Sequence, residues 1–523
     1  MTIIRTEKFL KNMKINFVFY IINIIISFIS RSIFIRILGA NINGLNSLYI
    51  SLIGFLNVAE LGVGTAVGYS LYKPLSKRNF EKVKDIMILF KYYYRNIAKI
   101  ILVLGIFLSF FLPILIKNQV DIKTSYIYYF IYLINCVISY LFTYKQTLII
   151  ADQKQYKISY ILNLTKIIKI IIQCILIYLT NMFIIWLLVE VIFNILGMFL
   201  ANRKIDFEYK KNLDYSSKKS INLIKKENFQ IGQNIRNIFF HKIAGFVIFQ
   251  TDSIIISIFS TLKEIGIYSN YMMVINSLTA LLSNVFGSIM PGIGNLIAEE
   301  SKEKIYDTFR ILYLFDHLLA IFISIVTYNM INEFIILWIG KEYLFPKEIV
   351  LALIINLYIQ ISRGSVDRFK DGFGIYWDIY APLIESILNL IISIILAYKF
   401  GIIGIFIGTI ISNILIVEIW KPYILFKEGF KKNILKYINQ TLSIYMRNII
   451  IILLSNAIYY KLSKLIYINN LLIRIIFDGI LISFTCGILI LLVYGKVIEF
   501  KNIFKMINNK IILTLRNKLL NNI

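Results

Sequence analysis

Apolar stretches of roughly twenty residues recur along this chain from Asn16 to Tyr494 and alternate with short polar segments. A helix of about 20 residues crosses ~30 Å of hydrocarbon and satisfies its backbone polar groups internally. The pattern therefore predicts an all-α polytopic membrane protein with about 14 transmembrane helices. The predicted spans, numbered in chain order, cover residues 16–38, 45–70, 98–116, 125–146, 158–180, 182–201, 229–258, 265–290, 308–330, 348–366, 378–398, 402–420, 446–464 and 471–495.

The composition agrees with this pattern and adds an orientation. Of the 523 residues 58% are hydrophobic, and the mean hydropathy is +0.74, which leaves too little polar surface for a soluble protein. The net charge of +27 would suit a nucleic-acid partner, but the Lys and Arg residues cluster between spans on alternate sides. This is the positive-inside distribution of a membrane protein. We therefore expect no nucleic-acid partner, and we expect both termini in the cytoplasm.

The sequence contains no pattern typical of a metal, nucleotide or catalytic site. Cys136, Cys174 and Cys486 all lie in apolar runs, so they predict neither a disulfide framework nor a zinc site. There is no nucleotide-binding glycine-rich loop. No outer loop exceeds about twenty residues, which is short for a loop with its own activity. We expect no cofactor, no metal and no enzymatic activity.

Two short matches suggest an internal repeat. The tetrapeptide ILNL occurs at residues 161–164 and 387–390, and LGVG at 61–64 resembles PGIG at 291–294. Both offsets are close to six spans, which predicts two parallel six-helix lobes related by an axis along the membrane normal. The predicted units are a first lobe at 1–228, a second lobe at 229–430, and two further helices with a basic cytoplasmic tail at 431–523. Coincidence in an Ile/Leu-rich chain remains the alternative.

Polar residues follow one face of the seventh span. They lie at helical spacing, and a hydrophilic line should not face lipid. We expect this face to line a substrate path, whereas hydrogen bonding between helices is the alternative. The residues are Asn234, Asn237, His241 and Asp252. Lys242 points away from this line, and Asn276 in the eighth span belongs to polar doublets whose spacing is more typical of helix packing.

Charged residues inside other spans are further candidates for substrate contact. Arg31 in the first span suits a phosphate, because a guanidinium fork matches phosphate oxygens. Asn57 and Glu60 share a face of the second span, and an ion pair between Glu60 and Arg31 is the alternative to a direct role.

The eleventh span contributes the remaining candidates. Asp378, Glu385 and Asn389 align on one of its faces. Asp316 and His317 in the ninth span form a possible titrating pair, for which a structural hydrogen bond is the more probable role.

Three passages resemble bacterial oligosaccharide flippases, the polysaccharide-transporter branch of the multidrug/oligosaccharidyl-lipid/polysaccharide (MOP) exporter superfamily. They are residues 35–75, residues 239–259 (FFHKIAGFVIFQTDSIIISIF) with 265–278, and residues 368–397. The resemblance implies two six-helix lobes, alternating access in the bacterial inner membrane, and a polyprenyl-pyrophosphate-linked sugar repeat unit as substrate. It also implies a role for basic cavity residues against the pyrophosphate, for which Arg31 is the best match, followed by His241 and Lys242.

The function expected from the resemblance is translocation of lipid-linked repeat units for a cell-surface polysaccharide such as the O-antigen of lipopolysaccharide. Its partners would be the lipid-linked oligosaccharide, membrane lipids and polysaccharide-assembly proteins. Two alternatives remain open. A multidrug or cation antiporter of the same superfamily would favour acidic cavity groups such as Glu60, Asp252 and Glu385. A membrane-embedded polysaccharide polymerase or glycosyltransferase would need a larger outer loop.

Overall fold

The structure is a computed structural model. It describes residues 2–60, 62–209, 219–286, 290–375, 378, 380–465, 468–503 and 505, with all side chains in these ranges except those of residues 2–17, 58–59, 236–250, 284–285 and 291. The described residues are almost entirely helical and include no β-strand. The prediction of an all-α polytopic membrane protein is confirmed.

The helices are named here in chain order. They are α1 (Thr2–Leu56), α2 (Val63–Ser76), α3 (Phe80–Ser109), α4 (Leu112–Ile116), α5 (Ile122–Ala151), α6 (Tyr156–Thr180), α7 (Phe183–Tyr209), α8 (Ile221–Glu227), α9 (Phe229–Phe259), α10 (Leu262–Phe286), α11 (Met290–Glu299), α12 (Lys302–Trp338), α13 (Lys347–Ser362), α14 (Gly364–Gly372), α15 (Tyr380–Phe400), α16 (Ile402–Asn413), α17 (Lys421–Ile424), α18 (Leu435–Leu465) and α19 (Leu471–Tyr494). Short 3-10 turns cover Asn57–Glu60 and Lys341–Tyr343, and π-helical turns cover Ile414–Trp420 and Leu425–Phe430.

Within the described part of the chain, 11 helices are long and apolar enough to cross a membrane. The predicted number was higher for two reasons. First, α1 contains the first predicted span and the start of the second, and it counts once. Second, the third predicted span covers the end of α3 and all of α4, and neither α3 nor the described part of α9 is apolar enough over the length of a span to be counted.

Two breaks in the backbone correct the predicted boundaries near the N-terminus. The first and second spans are joined by a kink at Gly39, whose φ of +79° is favourable only for glycine, and not by a loop. The predicted second span, 45–70, is not one continuous helix. It is interrupted after Leu56 by the 3-10 turn and by Gly62, whose φ is +92°. The interruption places Asn57 and Glu60 on irregular backbone inside the bundle.

The chain forms two compact units, Met1–Ser269 and Asn270–Ile523. In the first unit, α9 packs on α1, α2 and α4. Residues 229–269 therefore group with the first unit, whereas the sequence placed them in the second lobe. The division into two repeated six-helix lobes stays a prediction.

Small residues allow close helix contacts in the first unit. A Cβ atom on Gly44 of α1 would lie 1.7 Å from the backbone oxygen of Leu262, and one on Gly266 of α10 would lie 2.6 Å from that of Ala40. Only glycine permits this approach.

Outside the apolar core, Lys219 donates to Glu227 and Asp85, both at 2.9 Å, and these hydrogen bonds raise the pKa of its ammonium group.

The second unit is built around α12. This helix packs on α13, α14, α18 and α19, and α15 packs on α16. An aromatic cluster fills the core, with Phe309 at 5.3 Å from Phe369 and 4.9 Å from Phe430, measured between ring centroids. The two C-terminal helices thus share the core of the second unit, since Ile451 and Ile482 belong to the same buried cluster.

Candidate functional site

Arg31 lies in the interior of the first unit, on the first half of α1. Its Nη1 donates to the Oδ1 of Asn43 and to the Oγ of Ser269, the latter at 3.4 Å. Asn43 is fully buried, and its Nδ2 donates to the carbonyl oxygen of Gly266 at 3.0 Å. The guanidinium is therefore held by neutral oxygen atoms from α1 and α10.

The local fold explains why these groups meet. The kink at Gly39 starts a second helical segment of α1, and Asn43 lies on its first turn. The contact between Gly44 and Gly266 then brings the start of α10 against that turn. Sequence analysis did not identify Asn43 or Ser269 as partners of Arg31.

Within the part of the protein whose side chains are described, the charge of Arg31 is not balanced by a nearby carboxylate. Among the residues with described side chains, none places a carboxylate oxygen within ion-pair distance of this guanidinium. Lys169 of α6 is different: its Nζ lies 2.5 Å from the Oε1 of Glu190 on α7. Glu190 also accepts from Gln173 at 3.0 Å and from Asn194 at 3.2 Å. Lys169 is thus neutralised by a carboxylate, whereas Arg31 is held by neutral groups among the described side chains.

Asn57 and Glu60 do not contact Arg31. The Oδ1 of Asn57 accepts from the Tyr140 hydroxyl at 2.8 Å, and the Oε1 of Glu60 accepts from the Tyr94 hydroxyl at 2.7 Å. The two tyrosine rings lie 5.7 Å apart. The structure forms no Arg31–Glu60 ion pair among its described side chains, so the ion-pair alternative is not realised.

The polar line on α9 is described in part. Asn234 is half-buried, and Asp252 accepts from the Tyr268 hydroxyl at 2.9 Å, while its other oxygen, Oδ1, is buried with no hydrogen-bond partner in the described structure. The side chains of Asn237, His241 and Lys242 lie outside the described residues. The single continuous helix is the geometry that the predicted line requires. Asn276, on α10 in the second unit, is exposed.

The acidic candidates of the second unit have cationic partners. The Oδ2 of Asp378 accepts from Lys370 at 2.8 Å, and the Oε2 of Glu385 lies 3.7 Å from the Nζ of Lys421. Lys421 also lies 3.5 Å from Asp367.

Both lysines lie outside the predicted spans, yet each is only 8% exposed. Asn389, the third candidate on α15, donates to Thr409 at 3.0 Å and to Ser412 at 3.3 Å. All three candidates on this face thus contact protein groups.

The pair in the ninth span is also bonded to protein. Asp316 accepts from Arg368 at 2.6 Å and from the Ser365 hydroxyl, and both carboxylate and histidine are fully buried. The Nδ1 of His317 lies 2.7 Å from the Tyr358 hydroxyl. Arg368 was not predicted as a partner, because it follows the tenth span in the sequence and reaches Asp316 only through the turn between α13 and α14.

An apolar cavity of about 640 Å³ lies in the second unit, between α12, α13 and α18. Most of its wall is aliphatic, including Ile321, Ile355 and Ile449. A few polar groups interrupt it, among them Asn448 and Glu418. A cavity of this size and polarity accommodates a hydrocarbon chain.

Metal-binding geometry is absent from the described residues, which contain no group of three His, Cys, Asp or Glu side chains able to hold an ion.

No protein-family model matches this chain, and no curated protein sequence matches it. Solved structures do match. The lipid II flippase MurJ in an inward closed conformation has a TM-score of 0.64 at 17% sequence identity, over 92% of this chain and 99% of that chain. An inward-facing multidrug-resistance MATE-family transporter of the MOP superfamily has a TM-score of 0.57 at 13% identity, over 76% of this chain and 94% of that chain. A mutant of the Vibrio cholerae MATE transporter VcmN has a TM-score of 0.51 at 15% identity, over 82% of this chain and 98% of that chain.

At these identities the matches establish the fold. The chain is a multi-pass membrane protein with the fold that the lipid II flippase MurJ and these MATE transporters share. The polytopic helical fold that the sequence resemblance implied is therefore confirmed, and these structural neighbours are a flippase and transporters.

Proposed function

We propose that this protein is a flippase that moves polyprenyl-pyrophosphate-linked oligosaccharide repeat units across a bacterial cytoplasmic membrane, for synthesis of a cell-surface polysaccharide. The observation that carries the proposal is the environment of Arg31. A charge within an apolar span costs on the order of 3 kcal/mol or more, and among the described side chains only neutral oxygens offset that cost. An anion that binds the guanidinium removes this penalty, and a pyrophosphate offers the oxygen geometry that a guanidinium fork prefers.

The rest of the substrate also has matching groups. A lipid-linked glycan combines an anionic head, a hydrophilic sugar and an apolar tail. Asn234, Asn237, His241 and Lys242 on α9 are the proposed contacts for the polar part, together with Asp252, Asn57 and Glu60. The apolar cavity beside α18 suits part of the polyprenyl chain, because its wall is mostly aliphatic. The similarity in fold to a lipid II flippase agrees with a substrate of this class.

The groups of the second unit take a smaller part in this proposal. Asn276 is exposed and available for contact. Asp378, Glu385 and Asn389 would reach substrate only after their present partners separate, which makes them candidates for a later step of alternating access. In this account both termini lie in the cytoplasm, and polysaccharide-assembly proteins act before and after transport.

A multidrug or cation antiporter is the second candidate function. Asp252 favours it, because its Oδ1 is buried without a partner in the described structure and an organic cation or a proton could bind there. The acidic residues Asp316, Asp378 and Glu385 do not favour it, since each already faces a cation. Among the charged candidates described here, Arg31 is therefore the group that favours an anionic substrate.

A binding experiment separates the two candidates. Purified protein is incubated with a polyprenyl-pyrophosphate-linked oligosaccharide, with the same oligosaccharide on a phosphate-free polyprenol, and with ethidium as a model cation. We expect retention of the pyrophosphate lipid and weak binding of the other two. Equal binding of both lipids contradicts the role of the pyrophosphate, and preferential binding of ethidium supports the antiporter.

A further inference from the structure

A second cavity, of about 440 Å³, lies in the first unit where α3, α5 and α7 meet. Four of its lining residues are cations and one is an acid. The charged residues are Lys91, Arg95, Lys145, Arg203 and Asp206. None of them was among the predicted site residues, and the proposed transport function does not use them.

One of the four cations is neutralised and three are not. Lys145 lies 2.6 Å from the Oδ1 of Asp206 and 2.7 Å from its Oδ2. Lys91, Arg95 and Arg203 form no ion pair with any side chain in the described part of the protein. Lys91 is close enough to Arg95 and Lys145 to be repelled by both. The cavity therefore has an excess of positive charge and favours an anion.

The position of Arg203 is fixed by an aromatic contact. Its guanidinium carbon lies 4.8 Å from the centroid of the Phe199 ring, and Phe199 itself lines the cavity. A cation–π contact holds the side chain without removing its charge or its hydrogen-bond donors. The donors of Arg203 are thus held at the cavity wall, where an anion can accept from them.

The surface next to the cavity indicates which anion. Exposed apolar side chains continue from the cavity along two helices. On α5 they are seven residues apart, and on α7 they are four and then three residues apart, so on each helix they share one face. They are Ile134 and Leu141 on α5 and Ile192, Leu196 and Phe199 on α7. Such a stripe on a membrane-spanning surface contacts hydrocarbon chains. A basic pocket above an apolar stripe is the combination that an anionic lipid headgroup and its chains require.

We propose that this cavity binds the phosphate of an anionic membrane lipid, whose acyl chains lie along the stripe on α5 and α7. The site is separate from Arg31 and does not depend on the identity of the transported substrate. The bound lipid would neutralise the repulsion that Arg95 and Lys145 exert on Lys91, and it would bridge α3, α5 and α7.

The test uses lipid binding to the full-length protein. Protein purified in detergent is titrated with phosphatidylglycerol or with phosphatidylcholine, and the lipid retained is measured by native mass spectrometry. The test variant is Arg95→Gln/Arg203→Gln. The matched control is Lys99→Gln/Lys204→Gln, which removes the same charge from the same two helices at exposed positions outside the cavity.

We expect one phosphatidylglycerol bound in preference to phosphatidylcholine, about thirtyfold weaker binding in the test variant, and little change in the control. Equal losses of phosphatidylglycerol affinity in both variants would mean that the lipid is attracted to surface charge in general, and this result would contradict the proposed site. Unchanged binding in the test variant would overturn it as well.

Two further measurements keep the test decisive. Inorganic pyrophosphate is added as a competitor, and displacement of the lipid at equal concentration would mean that the cavity takes a soluble phosphate, which contradicts the lipid assignment.

The thermal unfolding of the single variants Arg95→Gln and Arg203→Gln is measured in lipid-free detergent. A loss of binding counts only for variants that unfold at the wild-type temperature, and we expect both single variants to meet this condition because neither arginine has an ion-pair partner to lose.

Discussion

Replacing Arg31 separates binding from stability more sharply than any other change in this protein. In the ligand-free state Arg31→Ala removes two hydrogen bonds from a charged donor, which are worth about 1.5 kcal/mol each, and also removes an unbalanced charge that costs on the order of 3 kcal/mol. These effects nearly cancel, so the folded protein should keep its stability.

The affinity for the pyrophosphate lipid should fall far more than the stability of the folded protein. A guanidinium fork makes two charge-assisted hydrogen bonds to phosphate oxygens, each worth about 1.5 kcal/mol or more. Arg31→Ala should therefore weaken binding by about 3 kcal/mol, which is roughly 150-fold. Arg31→Lys should bind at an intermediate level, about tenfold weaker than wild type, because an ammonium keeps the charge and loses the fork.

The assay pairs lipid binding with thermal unfolding. Arg36→Ala is the matched control, since Arg36 is an exposed arginine on the same helix. Wild-type affinity in Arg31→Ala would refute the phosphate assignment. A large drop in its unfolding temperature would refute the premise that its charge is unbalanced in the ligand-free protein.

Three other predictions follow from the same structure. Lys169→Ala should destabilise the protein by about 2 kcal/mol in chemical unfolding, because it leaves the half-buried Glu190 without a cation, and the double variant with Glu190→Ala should recover most of that loss; equal stability of the single and double variants would contradict this coupling. A cysteine at Asn234 should react with a hydrophilic thiol reagent faster than a cysteine at Ile243, on the other side of α9, and equal protection would mean that the polar line only packs against protein. Reporter fusions at the C-terminal Ile523 and in the loop after α2 should both report the cytoplasm, as the distribution of Lys and Arg requires; a signal from the other side of the membrane would reject the orientation.

Hydropathy predicted the helices of this protein well, because a bilayer imposes a length and a composition on each span. It could not predict the kink at Gly39 or the interruption after Leu56. Both leave the apolar pattern intact, and both depend on single glycines with positive φ. These breaks matter for the site, since one brings Asn43 to Arg31 and the other sets Asn57 and Glu60 beside the tyrosines of neighbouring helices.

The partners of the charged residues were the least predictable part. Helical periodicity identified Arg31, Asp378 and Glu385 as charges inside apolar runs, but it carries no information on contacts between distant segments. Ser269 lies 238 residues from Arg31 in the sequence. Lys421 belongs to a basic segment by its position in the sequence, yet its long side chain turns inward to Glu385. One signal that was overlooked is Glu190, a lone carboxylate inside the sixth span, which suggests a cation in a neighbouring helix.

The most direct test of the proposed function is the rate at which the purified protein moves its substrate across a bilayer. The protein is reconstituted into liposomes with a fluorescent polyprenyl-pyrophosphate oligosaccharide, and a membrane-impermeant quencher reports how quickly the inner-leaflet fluorophore becomes accessible. We predict translocation in liposomes that contain the wild-type protein, none above background in protein-free liposomes, and a strongly reduced rate with Arg31→Ala. Background rates with correctly folded wild-type protein would contradict the flippase assignment, and wild-type rates with Arg31→Ala would contradict the role of its guanidinium.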